Sequence, residues 1–184
     1  MSGLLFHAQF IIRDSLVGDL SKAMHGLSKQ LKMDIHDVMA TSLLNISKST
    51  INISPVETGR FRSNWFASMA KPIRRTVKSN RRDPMASVNE KITGAIKSGE
   101  KYFLTNNLPY ARALEYGLYK KNPVRGSRVR GSKPARYEIR SINGYSDQAP
   151  KGVLRVSVLR EIKNLTKLLN SDKIVTGGSG KRWS

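Results

Sequence analysis

The longest periodic stretch of the chain is residues 16–51, LVGDLSKAMHGLSKQLKMDIHDVMATSLLNISKSTI. Its apolar side chains recur at intervals of three and four residues, which is the spacing of one face of an α-helix. The lysines and aspartates between them suit the opposite, solvent-facing side. Gly18 and Gly26 each disfavour helix by about 1 kcal/mol, so a break near residues 32–34 would divide the stretch into two helices. The sequence therefore predicts a long N-terminal helical region as the main element of the fold.

The two ends of this helical region carry their own signals. Asp14 or Ser15 is suited to cap the first helix, because short polar side chains accept hydrogen bonds from free backbone N–H groups. Pro55 ends the region, because the residue before a proline is disfavoured in the helical conformation. Beyond it, large apolar residues at a spacing of four in residues 61–69 predict a further helix of two or three turns.

Strands are predicted in the middle of the chain. Residues 71–80 alternate loosely between apolar and polar side chains and predict a strand bounded by turns. Residues 86–96 are weakly patterned and favour another strand. Residues 101–107, with Tyr, Phe and Leu in succession, are the strongest strand candidate. Residues 137–142 indicate a resumed strand after a loop.

A final helix is predicted from Pro150, since proline is favoured in the first turn of a helix. Its apolar stripe consists of Val153, Leu154, Val158, Ile162, Leu165 and Leu169. Residues 171–184 are rich in polar and small side chains and predict a flexible tail, and residues 1–15 predict an N-terminal arm. We therefore expect one α+β domain over residues 16–170, in which the N-terminal and C-terminal helices pack on a small antiparallel sheet.

The charge balance of the chain indicates which classes of partner it can bind. Its 184 residues include 33 lysines and arginines against 13 aspartates and glutamates, a formal net charge of +20. Such a field attracts polyanions, for example nucleic acid or an acidic protein surface. The chain has no cysteine, which excludes disulfide scaffolds, thiolate metal sites and cysteine nucleophiles. No apolar run approaches the roughly 18 residues of a membrane span, and residues 4–12 lack the features of a secretory signal, so we expect neither membrane binding nor export.

The positive charge is concentrated in two segments. One is the strand predicted at residues 71–80, which includes Arg74 and Arg75. The other is a loop, residues 118–136, which glycines and prolines interrupt and which we expect to be exposed and mobile. Its cations are Lys120, Lys121, Arg125, Arg128, Arg130, Lys133 and Arg136. Because such clusters neutralise phosphates without reading a base sequence, non-specific nucleic-acid binding is one hypothesis for the function.

Residues suited to catalysis are sparse. The histidines, His7, His25 and His36, have no carboxylate at ligand spacing and do not predict a zinc site. The 13 acidic residues are scattered, so a metal-dependent nuclease would need several of them to converge in space. Glycine-rich residues 177–180 lack the strand and helix that flank a phosphate-binding loop. We expect no enzymatic activity, no cofactor and no metal, and a nuclease is the open alternative.

Three short blocks are more distinctive than the composition. They are SPVETGRFRSNW at residues 54–65, NNLPYARALEYG at residues 106–117 and QAPKG at residues 148–152. In this order and at these intervals they resemble the tail-completion or neck proteins of tailed bacteriophages, a group similar to the lambdoid minor tail protein Z family. The resemblance extends over residues 16–169, and its most specific part is the middle block. The matching residues are Pro55, Glu57, Thr58, Gly59, Arg62, Pro109, Tyr110, Ala111, Leu114, Glu115, Tyr116, Gly117, Ala149 and Pro150.

Local chemistry gives these blocks structural roles. Thr58 suits a helix cap beside Gly59, and Glu57 is placed to neutralise Arg60 or Arg62. Tyr110, Leu114 and Tyr116 are close enough in sequence to form one cluster. Gly117 suits the left-handed position that ends a helix. The blocks therefore predict an architectural signature. The basic insertion at residues 120–133 departs from the family pattern, and the resemblance implies no role for it.

The resemblance implies a structural virion protein of the head–tail junction, made in the host cytoplasm and located in the neck or tail. Copies would form a homo-oligomeric ring around the DNA channel, sixfold or alternatively twelvefold, between the neck connector and the tail terminator or tube. Six copies would carry six times the +20 of one chain, so channel DNA or acidic partners would have to offset the charge. We expect Arg125, Arg128, Arg130 and Lys133 to face that polyanion.

Overall fold

The N-terminal helical region consists of two helices. The computed structural model describes residues 14–78, 82–121, 123, 126–129 and 131–177. Helix α1 spans Asp14–Leu31 and helix α2 spans Ile35–Asn52, so the predicted break at residues 32–34 is confirmed. Asp34 caps α2, because its carboxylate accepts a 2.8 Å hydrogen bond from the backbone N–H of His36. The break lets α1 contact α2 along its side.

The C-terminal helix completes a layer of three helices. Helix α6 spans Leu154–Gly177 and packs against both α1 and α2. Its predicted apolar stripe is confirmed: four of the six side chains are buried, and Ile162 and Leu169 are partly buried against the same core. The helix begins four residues after Pro150. It continues to Gly177, within the segment predicted as a tail, and residues 178–184 and the predicted arm up to residue 13 lie outside the described residues.

A small antiparallel sheet lies beside the helices. Strand β1 spans Phe66–Met69 and strand β2 spans Tyr102–Thr105, with Phe66 opposite Thr105. All four residues of β2 are buried, which confirms the strand predicted at residues 101–107. Helix α4, Val88–Ser98, contacts β1, β2 and α2. The α+β prediction is confirmed.

The helix predicted at residues 61–69 is wrong beyond its first turn. Helix α3 spans only Arg60–Ser63, and the chain then enters β1. The amide side chain of Asn64 explains this exit. It donates to the carbonyls of Arg60 and Val77 at 2.8 and 3.0 Å and accepts from the N–H of Val77 at 2.8 Å. These bonds tie the end of the helical turn to a distant segment.

Both strand predictions between the two strands of the sheet are wrong. Residues 71–78 are irregular, because side chains satisfy part of their backbone: the carbonyl of Ile73 accepts from Thr105 Oγ1 at 3.1 Å and from Asn107 Nδ2 at 2.6 Å. Residues 86–96 contribute to helix α4. Val88, Ile92 and Ala95 are buried there at helical spacing.

Short elements cover the end of the domain that carries the basic insertion. Helix α5 spans Ala111–Tyr116. Four two-residue strands form two antiparallel pairs, β3–β4 and β5–β6: β3 Ser127–Arg128, β4 Tyr137–Glu138, β5 Ser141–Ile142 and β6 Tyr145–Ser146. The segment predicted as a loop therefore contains a strand. Among the described helices, none combines the length and the apolar character that crossing a membrane requires.

Candidate functional site

A buried carboxylate of the second sequence block binds the helix start that directly follows the third block. The side chain of Glu115 is 2% exposed and lies at the start of α6. Its Oε2 accepts from the N–H of Val153 at 2.7 Å and of Leu154 at 3.0 Å, and its Oε1 accepts from the N–H of Arg155 at 2.9 Å. These N–H groups have no partner within the helix, and the positive end of the helix dipole favours an anion there. Glu115 is therefore the cap of α6.

Arg155 closes this arrangement from the solvent side. Its guanidinium donates to the backbone carbonyl of Glu115 at 2.6 Å and lies 3.4 Å from the Glu115 carboxylate. Burial alone would lower the pKa of Arg155, but the hydrogen bond to Tyr145 and the charge of Glu115 outweigh it and raise that pKa. The guanidinium also lies 5.0 Å from the ring of Tyr116.

Glycine is required where the two blocks meet. Gly152 has a φ of 86°, and a Cβ atom there would lie 2.5 Å from the carbonyl oxygen of Glu115. A larger side chain would push the start of α6 away from the carboxylate. Pro150 lies exposed in the turn before it, and Ala149 is buried. The Glu115 bonds explain why α6 begins at Leu154 and not at Pro150.

The first block closes the end of α2. Arg62 donates to the carbonyl of Asn52 at 2.8 Å, and the indole N–H of Trp65 donates to Ser54 Oγ at 2.8 Å. The hydroxyl of Thr58 accepts from the N–H of Arg60 at 3.3 Å, but the residue at the cap of α3 is Gly59, so the cap predicted at Thr58 is wrong. These bonds hold the turn between α2 and α3.

The expected partner of Glu57 is wrong. Glu57 forms an ion pair with Arg140, which lies in the segment between β4 and β5. This hydrogen-bonded contact raises the pKa of Arg140. The first block is thereby linked to the short strands that follow the basic insertion. The sequence spacing favoured Arg60 or Arg62, which are close to Glu57 in the chain. A contact with Arg140, more than eighty residues away, leaves no local pattern in the sequence.

All three blocks border one cleft of about 390 Å³. The block residues that line the cleft are Pro55, Glu57, Thr58, Phe61, Tyr110, Leu114 and Gln148. The ring of Tyr110 lies 6.0 Å from that of Phe61, and burial raises the pKa of Tyr110. Arg128 of β3 and Ile139 also line the cleft.

The remaining residues of the middle block support these walls. Ala111 and Leu114 are buried in the core, and Pro109 is exposed at the turn into α5. Gly117 ends α5 in the left-handed conformation, with a φ of 66°, as predicted. The matched residues therefore occupy caps, turns and core positions in the structure.

Several large apolar side chains near the cleft are exposed. Ile139 and Ile142 are 57% and 64% exposed, Leu118 after α5 is 59% exposed, and Val56 in the first block is 52% exposed. Single exposed apolar residues are ordinary on protein surfaces. Their concentration around one cleft is typical of a contact surface.

One cation of the insertion, Arg128, lines this cleft. Lys120, Lys121, Arg128 and Lys133 are exposed. Arg136 is exposed too and forms a 2.9 Å ion pair with Glu138 of β4. Two of the predicted polyanion-contacting residues, Arg125 and Arg130, lie outside the described residues.

The second basic segment lies over the small sheet. Arg74 is exposed, and none of the ion pairs among the described residues includes it. Arg75 and Arg82 lie 5.5 and 4.2 Å from the ring of Phe66. Arg82 also donates to the carbonyl of Trp65 at 2.6 Å, and burial lowers its pKa, with the nearby charge of Arg75 adding to the effect. Arg82 thus supports the sheet, while Arg74 and Arg75 are available to a partner.

The described residues bring together no group of three or more His, Asp or Glu side chains that could hold a metal ion. His36 instead pairs with Asp34 at the start of α2, and His25 contacts the carbonyl of Ser21 within α1.

Comparisons of the chain with protein-family models, with curated proteins and with solved structures gave no match.

Proposed function

We propose that this chain is a structural protein of the head–tail junction of a tailed bacteriophage. Copies would form a ring around the DNA channel, sixfold or twelvefold, between the neck connector and the tail terminator or tube. The observation that carries the proposal is the bonding of Glu115 to the start of α6. It supports the proposal because it gives Glu115, in the most specific block, an architectural role at the helix that follows the third block.

The surface around the cleft supports an assembly role. Exposed Ile139 lines the cleft together with the exposed Arg128 of the insertion, and exposed Ile142 lies in β5, which follows. Apolar side chains supply affinity at a protein interface, while charges steer association and select partners. A domain with this surface suits docking to an acidic neighbour.

A joining assay tests this assembly surface. Heads and tails from a virus lacking the chain would be mixed with the purified protein, and infectious particles counted. We expect the double variant Ile139→Asp, Ile142→Asp to lower joining about tenfold or more, since interface anchors contribute upwards of 1–2 kcal/mol each. Leu159→Asp is the matched control, because Leu159 is 50% exposed on α6, away from the cleft. Equal joining by all three proteins would contradict the assignment.

A stand-alone nucleic-acid-binding protein is the second candidate function. The observation that favours it is the pair of exposed neighbouring arginines Arg74 and Arg75, of which Arg75 lies 5.5 Å from the ring of Phe66. Such cations neutralise phosphates regardless of sequence.

DNA titration at several salt concentrations tests this second candidate. The double variant Arg74→Glu, Arg75→Glu should lower affinity for duplexes of unrelated sequence equally and reduce the logarithmic salt slope by about 2. The control is Lys22→Glu with Lys29→Glu on α1, which makes the same change in net charge. An equal loss in both variants would indicate that net charge alone acts, and would contradict a DNA-binding surface at residues 74 and 75.

A further inference from the structure

A second, larger cavity lies between helices α1, α2 and α4. It is a groove of about 620 Å³, within the range of about 300–1,000 Å³ that is usual for binding pockets. Apolar side chains from all three helices line it, among them Val17, Met24, Ile35, Met39 and Ile96. All of these except Met24 are only partly buried. The groove therefore presents an apolar surface whose burial against another molecule would be favourable.

Acidic side chains are concentrated around this groove. Four carboxylates line it or adjoin a lining residue in the sequence: Asp19, Asp34, Asp37 and Glu100. Three lysines meet the same criterion: Lys22, Lys97 and Lys101. Acids thus outnumber lysines here, although in the whole chain lysines and arginines outnumber acids 33 to 13. Within this basic protein, the groove is the place that suits a basic partner.

The end of the domain that carries the basic insertion has the complementary character. Residues 118–136 include no acidic residue, and their exposed cations include Arg128 and Lys133. Ile139 and Ile142, which follow in the chain, are 57% and 64% exposed. This end therefore combines positive charge with exposed branched apolar side chains, which are the two properties that an apolar groove among carboxylates selects.

Helix α2 separates this end from the groove of the same chain. Met39, near the start of α2, lines the groove, whereas Pro55, three residues after α2 ends at Asn52, lines the cleft with Ile139. Met39 and Asn52 are about 20 Å apart along the helix axis, at 1.5 Å per residue. Two different surfaces at opposite ends of one helix suit a head-to-tail contact between copies, which produces a ring when the rotation between them closes.

We propose that Ile139 and Ile142 of one copy dock into the α1–α2–α4 groove of the next copy. This inference rests on the ring proposed above and names the contact that builds it. The cations of the insertion then face the carboxylates around the groove. Repulsion between the net charges of +20 is screened beyond about 8 Å at physiological ionic strength, so the groups that meet in the contact decide whether it forms.

Disulfide trapping between copies tests this contact. The chain has no native cysteine, so two single-cysteine variants can be mixed: Ile142→Cys with Met39→Cys, or with Ile96→Cys as a second groove position. The control mixture is Ile142→Cys with Leu159→Cys, because Leu159 is 50% exposed on α6 and lines neither cavity. Leu159 is more exposed than the partly buried Met39, so random collisions favour the control.

We expect the groove mixtures to form disulfide-linked dimers at least ~10 times faster than the control, because docking raises the effective concentration of the two thiols. Equal or faster trapping in the control would overturn the proposal. Homodimers of Ile142→Cys as the main product would overturn it too, since they indicate a symmetric contact between the two insertion ends.

A chain with both Met39→Cys and Ile142→Cys separates this contact from the ring itself. On non-reducing electrophoresis we expect a ladder of disulfide-linked species that ends at six or twelve chains, as ring closure requires. A ladder that continues without an end would support the contact and contradict the ring. The absence of a ladder would overturn the contact, and a native mass of six or twelve chains in that case would leave the ring standing.

Discussion

At the scale of single residues, Tyr102 makes the most specific prediction about pH. Its hydroxyl is buried and bonds Ser47 Oγ at 2.9 Å, and burial raises its pKa from 10.0 to about 12 although that bond acts in the opposite direction. The folded state therefore favours the neutral phenol. The stability this adds is complete below pH 10, where the unfolded chain is also neutral, and is lost as the pH rises from 10 to about 12.

We expect Tyr102→Phe to remove part of this alkaline sensitivity. The free energy of unfolding should lose about 1 kcal/mol at neutral pH with the hydrogen bond, and its fall between pH 10 and 12 should be shallower by about 2 to 3 kcal/mol. Chemical denaturation at several pH values measures both effects. Ser47→Ala is the control, because it removes the same bond but keeps the phenol, so its steep alkaline fall should persist. Parallel pH profiles for the two variants would contradict this account of Tyr102.

At the scale of elements, the attachment of α6 to α5 depends on Glu115. The variant Glu115→Ala would leave three N–H groups and the Arg155 guanidinium without their carboxylate. Each unsatisfied buried donor costs about 1–3 kcal/mol, so the free energy of unfolding should fall by about 3 kcal/mol or more. Denaturant titration measures this change.

Glu138→Ala provides the comparison for Glu115→Ala. It also removes one carboxylate, which pairs with Arg136 at 2.9 Å and with Arg140 at 3.9 Å, but that carboxylate is 46% exposed, and the loss there should be below about 1 kcal/mol. Similar losses in the two variants would show that Glu115 contributes no more than a surface ion pair.

The elements also show how far sequence reasoning extends in this chain. Long periodic patterns predicted α1, α2 and α6, because burial against the core repeats at every helical turn. The exit from α3 was not predictable, since it depends on the bonds of Asn64 to Val77 thirteen residues away. The sequence identified Glu115 as a motif residue but did not predict that it caps α6. That role depends on the N–H groups of residues 153–155, which are distant in the chain.

At the scale of the whole molecule, the cations that give the net charge of +20 fall into two groups, those in ion pairs and those exposed on the surface. Arg140 and Arg155 form ion pairs with Glu57 and Glu115, so these cations stabilise the fold. Exposed cations are left at the insertion and over the small sheet. A ring of such subunits would repel itself without a polyanion or acidic neighbours, which makes assembly dependent on partners.

The central claim is that the chain occupies a ring at the head–tail junction. Cryo-electron microscopy of virions from the virus that encodes it, with peptide mass spectrometry of the same particles, tests this claim directly. We expect density that fits α1, α2 and α6 at the top of the tail, in six or twelve copies around the channel. Virions that lack the chain, or that contain it without symmetric density at the junction, would contradict the claim.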